Sequence, residues 1–195
     1  AIAASDLTRT APVEALADVA AALADAAGAA LEASLAVARS RLRESVDQRE
    51  VAAVRLSIIG MGKAGARELN YVSDVDVIFV GGTADEEIVS ESRAIDLATK
   101  LARETMRGLS GIEKEPPLWE VDANLRPEGK QGALVRSLGS HLAYYDRWAK
   151  SWEFQALLKA RPLAGDPELG AEYIGAVQPK IWSSAAREDF VDSVQ

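Results

Sequence analysis

No cysteine occurs in the 195 residues, and histidine occurs once, as His141. That excludes a disulfide framework, a thiol nucleophile and a Cys-ligated zinc, and one imidazole argues against a zinc enzyme. An excess of positive charge is also missing, with Lys+Arg at 22 against Asp+Glu at 30 and a net charge of −8. Non-specific binding to DNA or RNA needs a basic surface, so no nucleic-acid partner is expected, and protein or small-nucleotide partners fit better. No run approaches the ~18 apolar residues of a membrane helix. The Ala-rich opening lacks the basic start of an export signal and carries Asp18, Asp25 and Glu32 at intervals, so a cytoplasmic protein without membrane association is expected.

What is present is enough apolar content, 48%, to bury a core in a chain of ordinary domain size. Residues 12–49 carry Leu16, Val19, Leu23, Ala27, Leu31, Leu35, Ala38, Leu42 and Val46 at spacings of three and four, which predicts one packing helix with Gly28 as a point of kinking or division. Val54–Ile59 and Val75–Val80 read as strands, and Leu118–Leu125 as a short third one. Thr83 with Glu86 reads as a capping box for an amphipathic helix ending near Gly108 or Gly111. Glu113–Pro117 reads as a loop and Ala133–Arg136 as a further short strand. Ser140 reads as the cap of a helix whose inward face is Leu142, Tyr145, Trp148, Trp152, Ala156 and Leu157. Asp166-Pro167 opens a last helix, 167–177, before Pro179. Glu188–Gln195 reads like a helix cut short, which predicts a fragment. The expected organisation is a helical segment over 1–50, a core over 51–137 with a small mixed sheet and flanking helices, and the start of a helical bundle over 138–195.

The densest chemistry lies in residues 60–80, GMGKAGARELNYVSDVDVIFV. Asp74 and Asp76, at i and i+2 on a strand, share one face because side chains alternate along it. Carboxylate oxygens suit hard cations, and Mg²⁺ is commonly held by one or two carboxylates plus substrate phosphates. The plain structural alternative is a strand entered from a solvated turn, where Asp is frequent. A third carboxylate, Asp122, alternates with Val121 and Ala123 on the Leu118–Leu125 strand, and reaches the same site if that strand lies beside the first. Arg126 follows four residues on, a planar cation suited to phosphate. Gly62 and Gly65 bring backbone N–H groups close to a phosphate, with Lys63 and Ser73 as added donors. Arg67 and Glu68 read as a local ion pair. Lys159 and Arg161 read either as phosphate or partner contacts or as a cationic helix terminus.

Gly60–Gly65 also satisfies G-x-G-x-x-G, the dinucleotide-binding fingerprint. That motif needs a crossover of a dozen or more residues back to a parallel strand, and the stretch from Ala66 to Ser73 is too short to supply one. The Walker motif fails as well, because Lys63 is followed by Ala64 instead of Ser or Thr.

The run from Gly62-Lys63 through Gly65, Arg67-Glu68-Leu69-Asn70-Tyr71 and Ser73-Asp74-Val75-Asp76 resembles the nucleotidyltransferase core of the bacterial, actinobacterial-like family of bifunctional glutamine-synthetase adenylyltransferase/adenylyl-removing enzymes. Val121-Asp122 to Arg126-Pro127, Gly132, Leu134-Val135, Tyr144-Tyr145, Trp152-Glu153 and Lys159-Ala160-Arg161 continue the resemblance. It implies an α/β (α+β) fold of the DNA polymerase β-like nucleotidyltransferase type. It also implies Mg²⁺ held by Asp74, Asp76 and Asp122 as the catalytic set, with Gly62, Lys63, Gly65, Ser73 and Arg126 contacting the nucleotide. Family members carry two such cores, and this wording resembles the N-terminal one, which removes AMP from an adenylylated tyrosine of glutamine synthetase by phosphorolysis to give ADP. The alternatives are the forward transfer of AMP from ATP and a non-catalytic regulatory platform. The partners implied are glutamine synthetase, phosphate, an adenine nucleotide and a PII-type nitrogen-signalling protein.

Overall fold

The structure, a computed structural model, describes residues 2–8, 12–111 and 117–185. Residues 113–116 of the loop expected over 113–117, and the cut helix expected over 188–195, lie outside them. After a short helix α1 (Ile2–Leu7), α2 (Pro12–Leu42) runs unbroken past Gly28. Gly28 is buried because β5 (Arg161–Gly165) crosses there: a Cβ would stand 3.2 Å from the Leu163 carbonyl oxygen. The expected 12–49 helix ends early. A second helix, α3 (Gln48–Ala53), starts from Asp47, whose carboxylate accepts the Arg49 N–H at 2.7 Å. Arg39 of α2 donates to the carbonyls of Val51 and Val54 at 3.2 Å, tying α2 to the entry of β1 (Val54–Gly60).

The sheet places β1 centrally, antiparallel to β2 (Val75–Thr83) on one side and to β5 on the other. The five-residue helix α4 (Gly62–Ala66) sits between β1 and β2, so the glycine turn returns the chain antiparallel, the opposite of the dinucleotide-binding crossover. The outer edge of β2 carries two parallel partners in succession, β3 (Val121–Asp122) and β4 (Val135–Ser137). Only two residues of the expected Leu118–Leu125 strand pair.

Strand alternation sorts the core into two clusters. Leu56, Ile58, Val75, Val77, Phe79 and Val121 pack under α2 and α5 (Glu91–Ser110). Ile59, Ile78 and Val80 pack on the other face against α6 (Leu138–Arg147), α7 (Ser151–Leu157) and α8 (Pro167–Ala185). α5 is capped by Ser90 in place of the expected Thr83–Glu86 box, because Thr83 still belongs to β2 and its hydroxyl closes a turn on Asp85. Ser137, not Ser140, caps α6. The expected single helix through Trp152 breaks at 148–150, leaving Trp148 72% and Trp152 47% exposed, so the inward aromatics are Tyr145, Phe154 and Tyr173. Asp166 caps α8 as expected, accepting the Leu169 N–H at 2.8 Å while paired with Arg55 at 2.7 Å, and α8 continues through Pro179.

By length and composition Ala15–Leu42 meets the minimum for crossing a membrane, contrary to the sequence expectation, because alanine fills the gaps between its leucines. Here Leu23, Ala27, Leu31 and Leu35 are buried in the first cluster, while Asp18, Asp25 and Glu32 lie exposed.

His141 is buried in the second cluster, its Nε2 3.4 Å from the Phe79 carbonyl oxygen and its ring edge-on to Tyr173 at 5.3 Å. Burial pushes its pKa down from 6.5 to about 4. Between those values the unfolded chain binds a proton that the native state refuses, so stability falls as pH drops from 6.5 to 4, by about 3 kcal/mol. Urea midpoints measured across that range should fall in the wild type and flatten in His141→Phe; parallel curves for the two proteins would contradict the burial.

Candidate functional site

The parallel register of β3 on β2 sets Val75 beside Val121 and Asp76 beside Asp122. The two valines point into the first cluster, so the two carboxylates share the opposite face. Asp74, one residue before β2 begins, is exposed, and its charge acts on Asp76. The backbone fixes the junction: Val75 N–H donates to the Glu120 carbonyl at 2.8 Å, and Met61 N–H to the Asp76 carbonyl at 2.8 Å.

Asp76 is half-buried, and its pKa is raised from 3.8, first by desolvation, then by the charges of Asp122 and Asp74, against which Lys63 acts in the other direction. The three carboxylates and the lysine therefore stand within electrostatic reach of one point. They do not form a closed cage, since no group of three or more His, Asp or Glu side chains among the described residues converges as a metal site. The donor set still fits a hard divalent cation: two neighbouring carboxylates with solvent access suit Mg²⁺, which takes its remaining ligands from water and phosphate. Asp122 is held by an Asx turn, its Oδ1 accepting the Asn124 N–H at 2.6 Å.

The remaining predicted residues divide. Gly62 adopts φ +49° directly against Asp76, where a Cβ would meet the carboxylate oxygen at 2.8 Å, so glycine lets the turn close on the site. Lys63 is exposed beside it. Gly65 is buried, and the backbone approaching it is the chain's own: a Cβ would stand 1.9 Å from the Lys159 carbonyl oxygen. The Ser73 hydroxyl donates to the Asp74 carbonyl at 3.2 Å. Arg126 spends three donors on the carbonyls of Gly132, Ala123 and Lys130, which staples the loop after β3 and leaves two of its five N–H groups.

Arg67 and Glu68 do not pair with each other. Arg67, at φ +61°, turns to Asp25 of α2, and Glu68 binds Lys159 at 2.7 Å. Arg161 is on a strand instead of a helix terminus, donating to the carbonyls of Ala64 and Gly65 at 3.1 and 3.0 Å. Missed from sequence was a cavity of about 490 Å³ beside Asp122, walled by Arg103 and Arg107 of α5 and by Glu120. The only signal for it was the pair of arginines four apart on the polar side of that helix.

The family model for glutamate-ammonia ligase adenylyltransferase matches residues 1–175. Among curated proteins, the chain is 63% identical to the bifunctional glutamine synthetase adenylyltransferase/adenylyl-removing enzyme of Leifsonia xyli subsp. xyli, over 100% of this chain and 20% of that protein. The identically described proteins of Streptomyces coelicolor and Mycolicibacterium smegmatis are 56% and 55% identical, over 100% and 94% of this chain and 19% and 17% of theirs. The chain thus spans about a fifth of the length of these relatives.

Carboxylates crowded in this way cost stability. Between 3.8 and the raised native value, the folded protein keeps the Asp76 proton that the unfolded chain has lost. Stability therefore falls as pH rises through that window, and the cost persists at neutrality. In metal-free buffer at pH 7, Asp76→Asn should melt above the wild type, with the gap closing as pH is lowered through the window; a melting temperature lowered by the substitution would contradict the repulsion.

Proposed function

The chain belongs to the glutamate-ammonia ligase adenylyltransferase family, and from that membership we propose that it is a nucleotidyltransferase core acting on glutamine synthetase, removing AMP from an adenylylated tyrosine by phosphorolysis. The observation that carries this reading is the register that seats Asp76 beside Asp122, with the charges of Asp74 and Lys63 acting on Asp76. The wording of the VDANLRPEG and WEFQALLKARPLAGD stretches supports the removing direction over the adding one.

Asp76 and Asp122, with Asp74 completing the set, would hold Mg²⁺, which when bound neutralises charge on the phosphoryl oxygens. The chain's own contribution is positional. Ladder bonds at Val75 and Met61 keep the Asp76 backbone fixed, the Asx turn at Asn124 fixes the Asp122 carboxylate, and Gly62 gives the turn room to close. Lys63 supplies a mobile cation for an incoming phosphate oxygen. A phosphate oxygen forms a bond to the AMP phosphorus as the bond to the tyrosine oxygen breaks. The products are ADP and a tyrosine hydroxyl that regains its proton. With little covalent work left to side chains, placement and charge dominate the rate.

The test is ADP release from adenylylated glutamine synthetase with phosphate and Mg²⁺. The wild type should produce ADP, and Asp76→Asn and Asp122→Asn should each lose at least about a hundredfold in rate with unchanged circular dichroism. Wild-type transfer of AMP from ATP without any ADP release would overturn the removing assignment, and full activity in either variant would overturn the site.

A further inference from the structure

Where β3 meets α5, a polar cavity adjoins the carboxylate edge and shares Asp122 with it. The cavity there, about 490 Å³, has the size of a small-molecule site and is walled by Arg103, Arg107 and Arg126 in a protein whose net charge is −8. Three arginines lining one cavity of an acidic chain are not a consequence of general basicity.

The three differ in how they are held. Arg126 is fixed by its carbonyl contacts, so its remaining N–H groups are preorganised. Arg107 has one ion-pair partner among the described residues, Glu104 at 2.8 Å, in an i,i+3 pair whose side chains are 71% and 34% exposed. Such a surface pair is weak and yields readily to a stronger anion. Arg103 makes no hydrogen bond or ion pair among the described residues, and it borders a second cavity of about 390 Å³ toward Arg41 and Lys100. Arg103 and Arg107 are therefore two exposed forks beside one held by backbone carbonyls. Guanidinium forks match the oxygens of phosphate in a bidentate manner, which an ammonium does not. Glu120 and Asp122 also wall the cavity, and they repel an anion from the β3 side and direct its charged end toward α5.

We propose that the cavity between α5 and β3 is an anion site that takes a phosphate-type oxyanion, free or carried on a nucleotide, through Arg103, Arg107 and Arg126 without a divalent metal. This requirement separates it from the carboxylate edge, which needs a cation before it can accept phosphate. Its test reads binding without metal, so its failure is distinguishable from failure of the adenylyl-removing reading.

Calorimetric titration of inorganic phosphate, and separately of ADP, into this chain in EDTA tests it. The wild type should bind one equivalent, with affinity falling as salt is raised. Arg103→Gln and Arg107→Gln should each weaken binding about tenfold, and the double variant should abolish it. Glu104→Gln frees Arg107 and should tighten binding. Both arginines are exposed, so their variants should keep the wild-type melting temperature. Tighter binding of ADP than of phosphate would assign the nucleotide-borne form, and equal binding the free group. No metal-free binding by the wild type, or binding retained by the double arginine variant, would overturn the proposal.

Discussion

The pairing of two residues, Val121 and Asp122, with the start of β2 is the constraint on which the site depends. β3 is too short to be a strand on its own account. It is held by Val121 in the first cluster, by the Val75–Glu120 backbone bond and by Ser110, whose hydroxyl donates to the Trp119 carbonyl and accepts the Val121 N–H. Because alternation makes one side of this pairing apolar, the other side must present Asp76 and Asp122 together. A slip of one residue would bury a carboxylate among Val75, Val77 and Leu101, at a cost of several kcal/mol. The hydrophobic cluster thus sets the geometry of the polar edge.

The same logic explains why that edge is strained electrostatically while the junction of β1 with α8 is not. Arg55 and Asp166 cross-link β1 to the cap of α8, and the pairing holds the Asp166 carboxyl below its ordinary value. At Asp76 the neighbours are two further carboxylates and one exposed lysine, and its proton is held more tightly than usual. One carboxylate is satisfied within the chain, and on the proposed reading a cation from outside satisfies the other. Perturbation of this second kind is what marks a site for chemistry.

Much of this edge was legible in the sequence because it is local. β1 and β2 announced themselves as β-rich apolar runs, although β2 begins at Val75, so alternation within the strand places Asp76 and not Asp74. The exclusion of a dinucleotide-binding turn rested on a count of residues, and the antiparallel return agrees with it. What was not legible depends on contacts far along the chain. β5, reading Arg161-Pro162-Leu163-Ala164-Gly165, has no alternation and a proline, and is a strand only because it lies against β1 about a hundred residues earlier. Gly65 looked like part of a phosphate turn, yet its missing side chain makes room for the Lys159 carbonyl. Arg126 read as a phosphate contact, and three of its donors staple the loop after β3. Trp148 and Trp152 fitted a helical stripe, but the helix breaks between them and turns both outward. The partner that decides each of these roles lies outside any local window.

The most direct test of the account is anomalous diffraction from crystals of this chain grown with Mn²⁺. A peak bridging the carboxylates of Asp76 and Asp122, at carboxylate-ligand distance from both, is the predicted result. A metal bound elsewhere, or bound by Asp76 with Asp122 turned away, would contradict the claim that the β2–β3 register builds the site.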